Sequence, residues 1–415
     1  MQKQNISIPP AFKHRRFVIF WLSMMISTAG SQMQLWALFW HLRTLSDQPI
    51  VVSGIGLARF LPILILSLIG GLVADMFNRR KVMFASQIVM TLVSAIFGLL
   101  TCFDMIQIWH MYILTAIQAA ALAFDMPARQ ALMPNLVPRE DLPSAFSLQS
   151  MAFNIGSVVG PGLSGIVIAL LGQSWTYFID AISFGAVIIS LLIIGNVNQE
   201  INPIVRRQGL NLDAIKEGVA FIRAQPIILS SMILDFFATF FSSANTLLPF
   251  ITRDILKVGA VEYGWLSAAQ PFGAVGVGLF FSQKAKIRKQ GSLLLWSVVA
   301  FGIATIVFGL SRNFWLSLLA LAIIGGSDAI STILRNTIRQ MVTPDAMRGR
   351  MVSVNQIFFM GGPQLGEIEA GMVAQALGTP MAVITGGLGC ILAVLWIGRK
   401  WPALPAYSGE DAQPV

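Results

Sequence analysis

Residues 142–179 read LPSAFSLQSMAFNIGSVVGPGLSGIVIALLGQSWTYFI, with no Asp, Glu, Lys or Arg between Leu142 and Ile179. As a single helix at about 1.5 Å per residue this stretch would run roughly 57 Å, almost twice the ~30 Å hydrocarbon core of a bilayer. The Gly172-Gln173-Ser174 break divides it into two pieces, each long enough for one crossing. The rest of the chain has the same character: 55% of its 415 residues are apolar and 11% are charged, with a mean hydropathy of +0.73. Soluble domains carry about 25% charge, so lipid must be the solvent for most of this polypeptide.

Outward from that stretch, windows of about 20 mainly apolar residues lie at 17–41, 50–74, 82–103, 108–131, 142–171, 174–195, 226–250, 263–283, 291–311, 314–338, 351–377 and 380–398. They predict an all-α membrane protein with twelve transmembrane helices. The first window is too long for a signal-peptide core and lacks a small-residue cleavage site, so it is expected to be retained. With the N-terminus in the cytoplasm and a reversal at each span, 23 of the 28 Lys and Arg residues fall on the cytoplasmic side, those at 335–350 included. Arg43, Arg253, Lys257 and Arg312 fall outside, and Arg59 lies within a span. The positive-inside rule therefore expects a multi-pass protein of the cytoplasmic (inner) membrane with both termini cytoplasmic, and the net charge of +9 needs no nucleic acid.

A polar connection splits the chain near its middle. The expected organisation is an N-terminal six-helix bundle (1–195), a cytoplasmic linker (196–225), a C-terminal six-helix bundle (226–400) and a cytoplasmic tail (401–415). Within the linker, Arg206-Arg207 is followed by Leu212, Ile215, Val219 and Ile222 at helical spacing, which predicts an amphipathic surface helix. Gly160-Pro161-Gly-Leu-Ser-Gly165 in span 5 recurs as Gly362-Pro363-Gln-Leu-Gly366 in span 11. An offset of six spans keeps the topology parallel, as two pseudo-symmetric bundles require.

Cys102 and Cys390 sit in no CxxC or Cys/His cluster, and the chain has neither GxxxxGK[ST] nor HExxH. Gly273-Ala-Val-Gly276-Val-Gly278 lies inside an apolar span and reads as helix packing. No metal, cofactor or enzymatic chemistry is expected. Ionisable groups inside spans each cost about 2.5–3.5 kcal/mol at mid-helix unless paired or wetted, and so point to function. They are Arg59, Asp180, Asp235, Asp328, Glu367 and Glu369. Gln32, Gln34, Asn154, Asn245, Gln270, Asn355 and Gln356 either line a polar cavity or bridge helices.

The run Gly71-Leu-Val-Ala-Asp75-Met-Phe-Asn78-Arg79-Arg80-Lys81 between spans 2 and 3 resembles the signature loop of the major facilitator superfamily, with Met76 where the pattern usually has Arg. Gly71 would let two helices approach closely. The stretch from Ala123-Phe-Asp125-Met-Pro127-Ala-Arg129 to Leu142, with Pro344-Asp345-Ala-Met-Arg348-Gly-Arg350, looks like the branch that holds enterobactin-type siderophore exporters and macrolide efflux proteins. Gly156-x-x-x-Gly160-Pro161-x-x-Ser164-Gly165 resembles the helix-kinking motif of the superfamily's exporters, with Ser147 and Ser164 in place of Gly. Thr115 stands where the family's span 4 motif has Arg.

The resemblance covers essentially the whole chain and implies the major facilitator fold around a midplane site that opens alternately to each side. It implies an inner latch of Asp75, Asp125 and Arg350, with Gly71, Arg79, Arg80 and Arg129 around it. Spans 2 and 11 would be neighbours, so Arg59 could meet Glu367 or Glu369 as an outer gate. Asp235, on a cavity-lining helix, is the first expected proton-coupling acid, followed by Glu367, Asp328 and Asp180. The expected cavity lining is Gln32, Asn154, Asn245, Gln270 and Gln356. The expected activity is export of an amphipathic siderophore or drug-like molecule in exchange for protons, by a monomer in the bilayer. The alternatives are an importer or lipid translocator of the same fold, or a membrane channel or scaffold.

Overall fold

Twelve long helices order the chain in the computed structural model, which describes residues 9–197, 212–282 and 288–409. They are α1 (Arg15–Leu45), α2 (Ile55–Met76, preceded by the helical turn Pro49–Ser53), α3 (Arg79–Cys102), α4 (Ile108–Leu132), α5 (Leu142–Leu171) and α6 (Gln173–Ile194). A linker helix (Leu212–Ala224) leads to α7 (Pro226–Ser242), α8 (Ala260–Ser282), α9 (Gln290–Leu310), α10 (Phe314–Val342), α11 (Asp345–Leu377) and α12 (Thr379–Lys400). Among the described residues, nine helical paths are long and apolar enough to cross a bilayer. The other three, α1, α8 and α11, have the length, at 31, 23 and 33 residues, but carry more polar side chains, among them Gln32, Gln270 and Glu367. Leu92, Ile96, Ile189, Trp296 and Leu392 are exposed, the inverse of a soluble surface and the pattern expected against acyl chains.

Local chemistry sets the helix ends. Asn78 caps α3 by accepting from the Lys81 amide at 3.2 Å, and Asn313 caps α10 by accepting from Trp315 and Leu316. Gly172 and Gly378 join α5 to α6 and α11 to α12, both at φ +89°, a conformation that favours glycine. Their matching positions, six helices apart, extend the internal repeat seen in the Gly-Pro sequences. The packing repeats too: α5 closes on α1 through Gly160 against Ala29, and α11 closes on α7 through Gly366 against Phe240. Likewise α3 pairs with α6 as α9 pairs with α12.

Gly71 departs from expectation. Nothing lies within 4 Å of a Cβ built there, whereas one at Gly70 would stand 2.1 Å from the Ala123 carbonyl oxygen of α4. One residue turns the helix by about 100°, so the close approach belongs to Gly70. Gly273 on α8 repeats it against Ala322 of α10.

Four further differences concern boundaries. The expected span 226–250 breaks at Ser243, after which the backbone continues through short turns from Asn245 to Ile255. Thr239, Ser242 and Ser243 bond back to carbonyls four residues earlier, a pattern that bends helices. α10 runs to Val342, so Arg335 and Arg339, counted with the cytoplasmic turn, are buried within a helix. Arg206 and Arg207 lie outside the described residues, but the linker helix forms. Its Ile222 is buried with Ile228, Met232 and Met351, so protein covers that part of its apolar face. The described part of the tail, to residue 409, packs on α9: the Gly291 amide donates to the Tyr407 carbonyl at 3.0 Å, and Leu404 is buried.

The chain forms two compact units, Met1–Leu38 with Leu61–Gly209, and Phe39–Phe60 with Leu210–Val415. The boundaries differ from the expected 195/226 division in one respect, because the end of α1 and the start of α2 belong with the C-terminal helices. Side chains explain the assignment. Ser53 and Thr246 share a hydrogen bond at 2.9 Å, and Gly371 of α11 lies against the Ser53 side chain.

Candidate functional site

In the first unit, polar side chains from four helices converge on Asp180, which is fully buried on α6. Its carboxyl oxygens lie 3.1 Å from Ser94 Oγ of α3, 3.3 Å from Ser31 Oγ of α1 and 3.2 Å from Ser183 Oγ. Ser94 also donates to Gln34 Oε1 at 2.7 Å, Gln34 donates to Gln118 Oε1 at 2.8 Å, and Gln118 Nε2 lies 3.5 Å from Ser94 Oγ. Every one of these partners is neutral. Gln34, read as cavity lining or bridge, is a bridge.

The second unit treats its acid differently. Asp235 of α7 lies 2.9 Å from Arg335 Nη1 and 3.3 Å from Arg339 Nη2, both on α10, and all three side chains are buried. Arg339 also donates to Ser231 and to Asn355 of α11, while Arg335 reaches Thr332 at 2.8 Å and Asp328 at 3.7 Å. Asp328 is half exposed, so the cluster has one accessible edge. Two guanidinium groups flank Asp235 and make it an anchor between α7 and α10. A sequence signal for the arginines exists: Arg335 and Arg339 are spaced i,i+4 on one helix face, and Asp235 needs a countercharge.

At the end opposite the Arg79–Lys81 turn, Arg43 pairs with Asp47 and, at 2.9 Å, with Asp254 beyond the α7 break. Its guanidinium also lies 4.8 Å from the Phe250 ring centre. The expected gate residues Arg59 and Glu367 interact through their charges without a direct ion pair. Glu367 is buried, and a Cβ at Gly56 would stand 2.5 Å from its Oε2. Glu369 is only partly buried.

The residues of the expected latch have partners within their own units. Asp125, fully buried, pairs with Arg129 and accepts from Gln87 of α3 at 2.9 Å. Arg79 and Arg80 donate to the Ala131 and Leu191 carbonyls, so the basic run caps the ends of α4 and α6. Arg350 pairs with Glu217 of the linker helix at 2.6 Å, and Asp75 is exposed. Gly156, Gly160, Pro161 and Gly165 are buried in α5, which continues unbroken through the proline.

Among the described residues, Gln32, Asn154, Asn245 and Gln270 make no side-chain hydrogen bond, and all are at least partly exposed. The Gln356 side chain lies outside the described residues. A small open cleft between α1, α4 and α5, which composition does not reveal, is lined by Phe17, Phe20, Trp21, Phe153, Gln149 and Arg129.

The whole-chain comparisons agree with this architecture. A family model described as transmembrane secretion effector matches residues 7–415. The multidrug efflux pump Tap of Mycolicibacterium fortuitum is 28% identical, over 84% of this chain and 87% of that protein. The enterobactin exporter EntS of Shigella boydii is 27% identical, over 83% of each. Similar solved structures include a bacterial homologue of the human lysosomal transporter Spinster (TM-score 0.73, 14% identity, 96% of this chain and 98% of that one). A bacterial homologue of the iron transporter ferroportin is also similar (TM-score 0.69, 15% identity, 93% and 98%). The chain is thus a multi-pass membrane transporter, not an enzyme, and it belongs to the transmembrane secretion effector family of the major facilitator superfamily.

Proposed function

We propose that this transporter exports an amphipathic small molecule, a siderophore or drug-like compound, from the cytoplasm by alternating access while protons enter. The observation that carries the reading is the clasp at the end opposite the basic turns. Within the second unit, Arg43–Asp254, Ser53–Thr246 and Gly371 on Ser53 join the end of α1 and the turn before α2 to the segment after α7 and to α11 through a few polar and small-residue contacts. Such contacts can open and reform, unlike an apolar core. With the basic turns and both termini in the cytoplasm, the clasp is the closed external gate, and Arg59 with Glu367 and Glu369 forms its deeper layer.

On the cytoplasmic side, the Arg350–Glu217 pair and the latch residues Gly71, Asp75, Arg79, Arg80, Asp125 and Arg129 rearrange when the transporter opens outward. Substrate enters by the aromatic cleft and meets Gln32 and Asn154 in the first unit, with Asn245 and Gln270 the polar groups offered by the second. The kink motif at Gly156, Gly160, Pro161 and Gly165 sets the path of α5 beside it. A single chain suffices. Export is supported by the efflux and exporter names of two relatives that align over more than four fifths of the chain.

The test is retention in cells that lack the protein. Cells loaded with a panel that includes ethidium and enterobactin are expected to retain at least one compound several-fold longer than cells expressing it. Equal retention of every compound, or faster uptake with the protein present, overturns export.

A further inference from the structure

We propose that Asp180 is the proton-carrying acid of the first unit, held here as the neutral carboxylic acid, with Ser94, Gln34 and Gln118 as a relay whose polarity reverses when the proton leaves. This rests on reading the protein as a proton-driven exporter. Of the four intramembrane acids expected to couple protons, Asp235 and Asp328 stand beside arginines and Glu367 interacts with Arg59. Asp180 has only hydroxyl and amide partners.

Counting protons on those partners decides its form. Ser94 has one hydroxyl proton and two acceptors in reach, Gln34 Oε1 at 2.7 Å and Asp180 Oδ2 at 3.1 Å. Ser183 likewise directs its proton to the Asp180 backbone carbonyl at 2.7 Å, closer than its 3.2 Å approach to Oδ1. An ionised carboxylate, buried from water, would keep uncontested only the long 3.3 Å contact from Ser31 and the Gln118 amide. A neutral Asp180 resolves the shortage: its Oδ2–H donates to Ser94 Oγ, Ser94 donates to Gln34, and Gln34 donates to Gln118.

The groups facing Asp180 are Ser31, Gln34 and the bare Gly30 of α1, Ser94 of α3, Gln118 of α4, and Ser183 of its own helix. Buried Tyr177, stacked on Phe97 at 5.0 Å, is the titratable group one turn away on α6. No cation is among them. Thr115, where the resembled pattern has Arg, is one turn from Gln118, and its buried hydroxyl makes no hydrogen bond. When water reaches the site, the Asp180 O–H bond breaks, the proton passes to water as hydronium and the electron pair stays on Oδ2. Ser94 then turns its hydroxyl to the carboxylate, and the Gln34 and Gln118 amides both rotate, so that Gln118 donates to Gln34 Oε1 and Gln34 donates to Ser94 Oγ. Both protonation states leave the network bonded, as a reversible carrier requires.

Infrared difference spectroscopy of the full-length protein in lipid nanodiscs tests this. A carboxylic-acid C=O component is expected at neutral pH, decaying reversibly as pH rises. It should be lost in Asp180→Asn, and moved to higher frequency in Ser94→Ala through loss of its acceptor. A spectrum unchanged in both variants, or an Asp180 component that never titrates, overturns the inference. Such a failure beside intact export removes this proton carrier alone, whereas loss of export in the retention assay removes the broader reading whatever the spectrum shows.

Discussion

Asp235 and Asp180 show how much a neighbour matters to an intramembrane acid. Both are buried, but one faces two guanidinium groups and the other faces hydroxyls and amides. Depth in the membrane was legible from sequence and made Asp235 the first expected proton site. Its partners were not, because Arg335 and Arg339 sit where a span should end and look like topology anchors. Removing Asp235 strands two buried cations, and breaking such a pair costs about 3–5 kcal/mol. Asp235→Asn is therefore expected to lower the thermal unfolding midpoint in detergent markedly, and adding Arg335→Gln should recover part of the loss. An unchanged midpoint in the single variant would remove the anchor role. Glycine offers a second contrast. Gly70→Ala forces a methyl against the Ala123 carbonyl and is expected to cost about 1–3 kcal/mol of stability. Gly71→Ala should leave the folded yield, read by size-exclusion chromatography, near that of the unmodified protein.

At the scale of elements, periodicity and breaks located the spans because a helix in lipid must satisfy its own backbone and so declares its length in apolar residues. The expected windows fall on the observed helices. The interruption at Ser243 was not legible, because Pro226–Ile255 keeps the mean hydropathy of a span and the break follows from hydroxyls bonding backward along α7. The broken segment carries the clasp, since Thr246 and Asp254 both lie beyond it. Arg43 is largely shielded while Asp254 is substantially exposed, so the pair should contribute about 1 kcal/mol, roughly fivefold in population. In a background with Cys102 and Cys390 replaced, Arg43→Gln is expected to raise the maleimide labelling rate of Thr246→Cys by a few fold. An unchanged rate would mean the pair does not hold the gate.

The whole molecule repeats itself: α5 closes on α1 as α11 closes on α7, and Gly172 and Gly378 turn the chain identically. A short Gly-Pro match announced that repeat in the sequence. The division into units was less legible, because no composition signal marks residues 39–60 as belonging with helices more than 150 residues away. Orientation follows from charge: single cysteines at Arg80 and Lys289 should both label from the cytoplasmic face, and one at Arg312 only from outside. Labelling of the first two from opposite faces would undo the topology. The central claim, transport through a gate that must open, is tested most directly by Ser53→Cys with Thr246→Cys in the cysteine-replaced background, using whichever compound the retention panel identifies. Efflux is expected to run under reducing conditions, to fall on oxidation to the rate of cells without the protein, and to return on reduction. Efflux that continues unchanged with the disulfide formed would contradict the account.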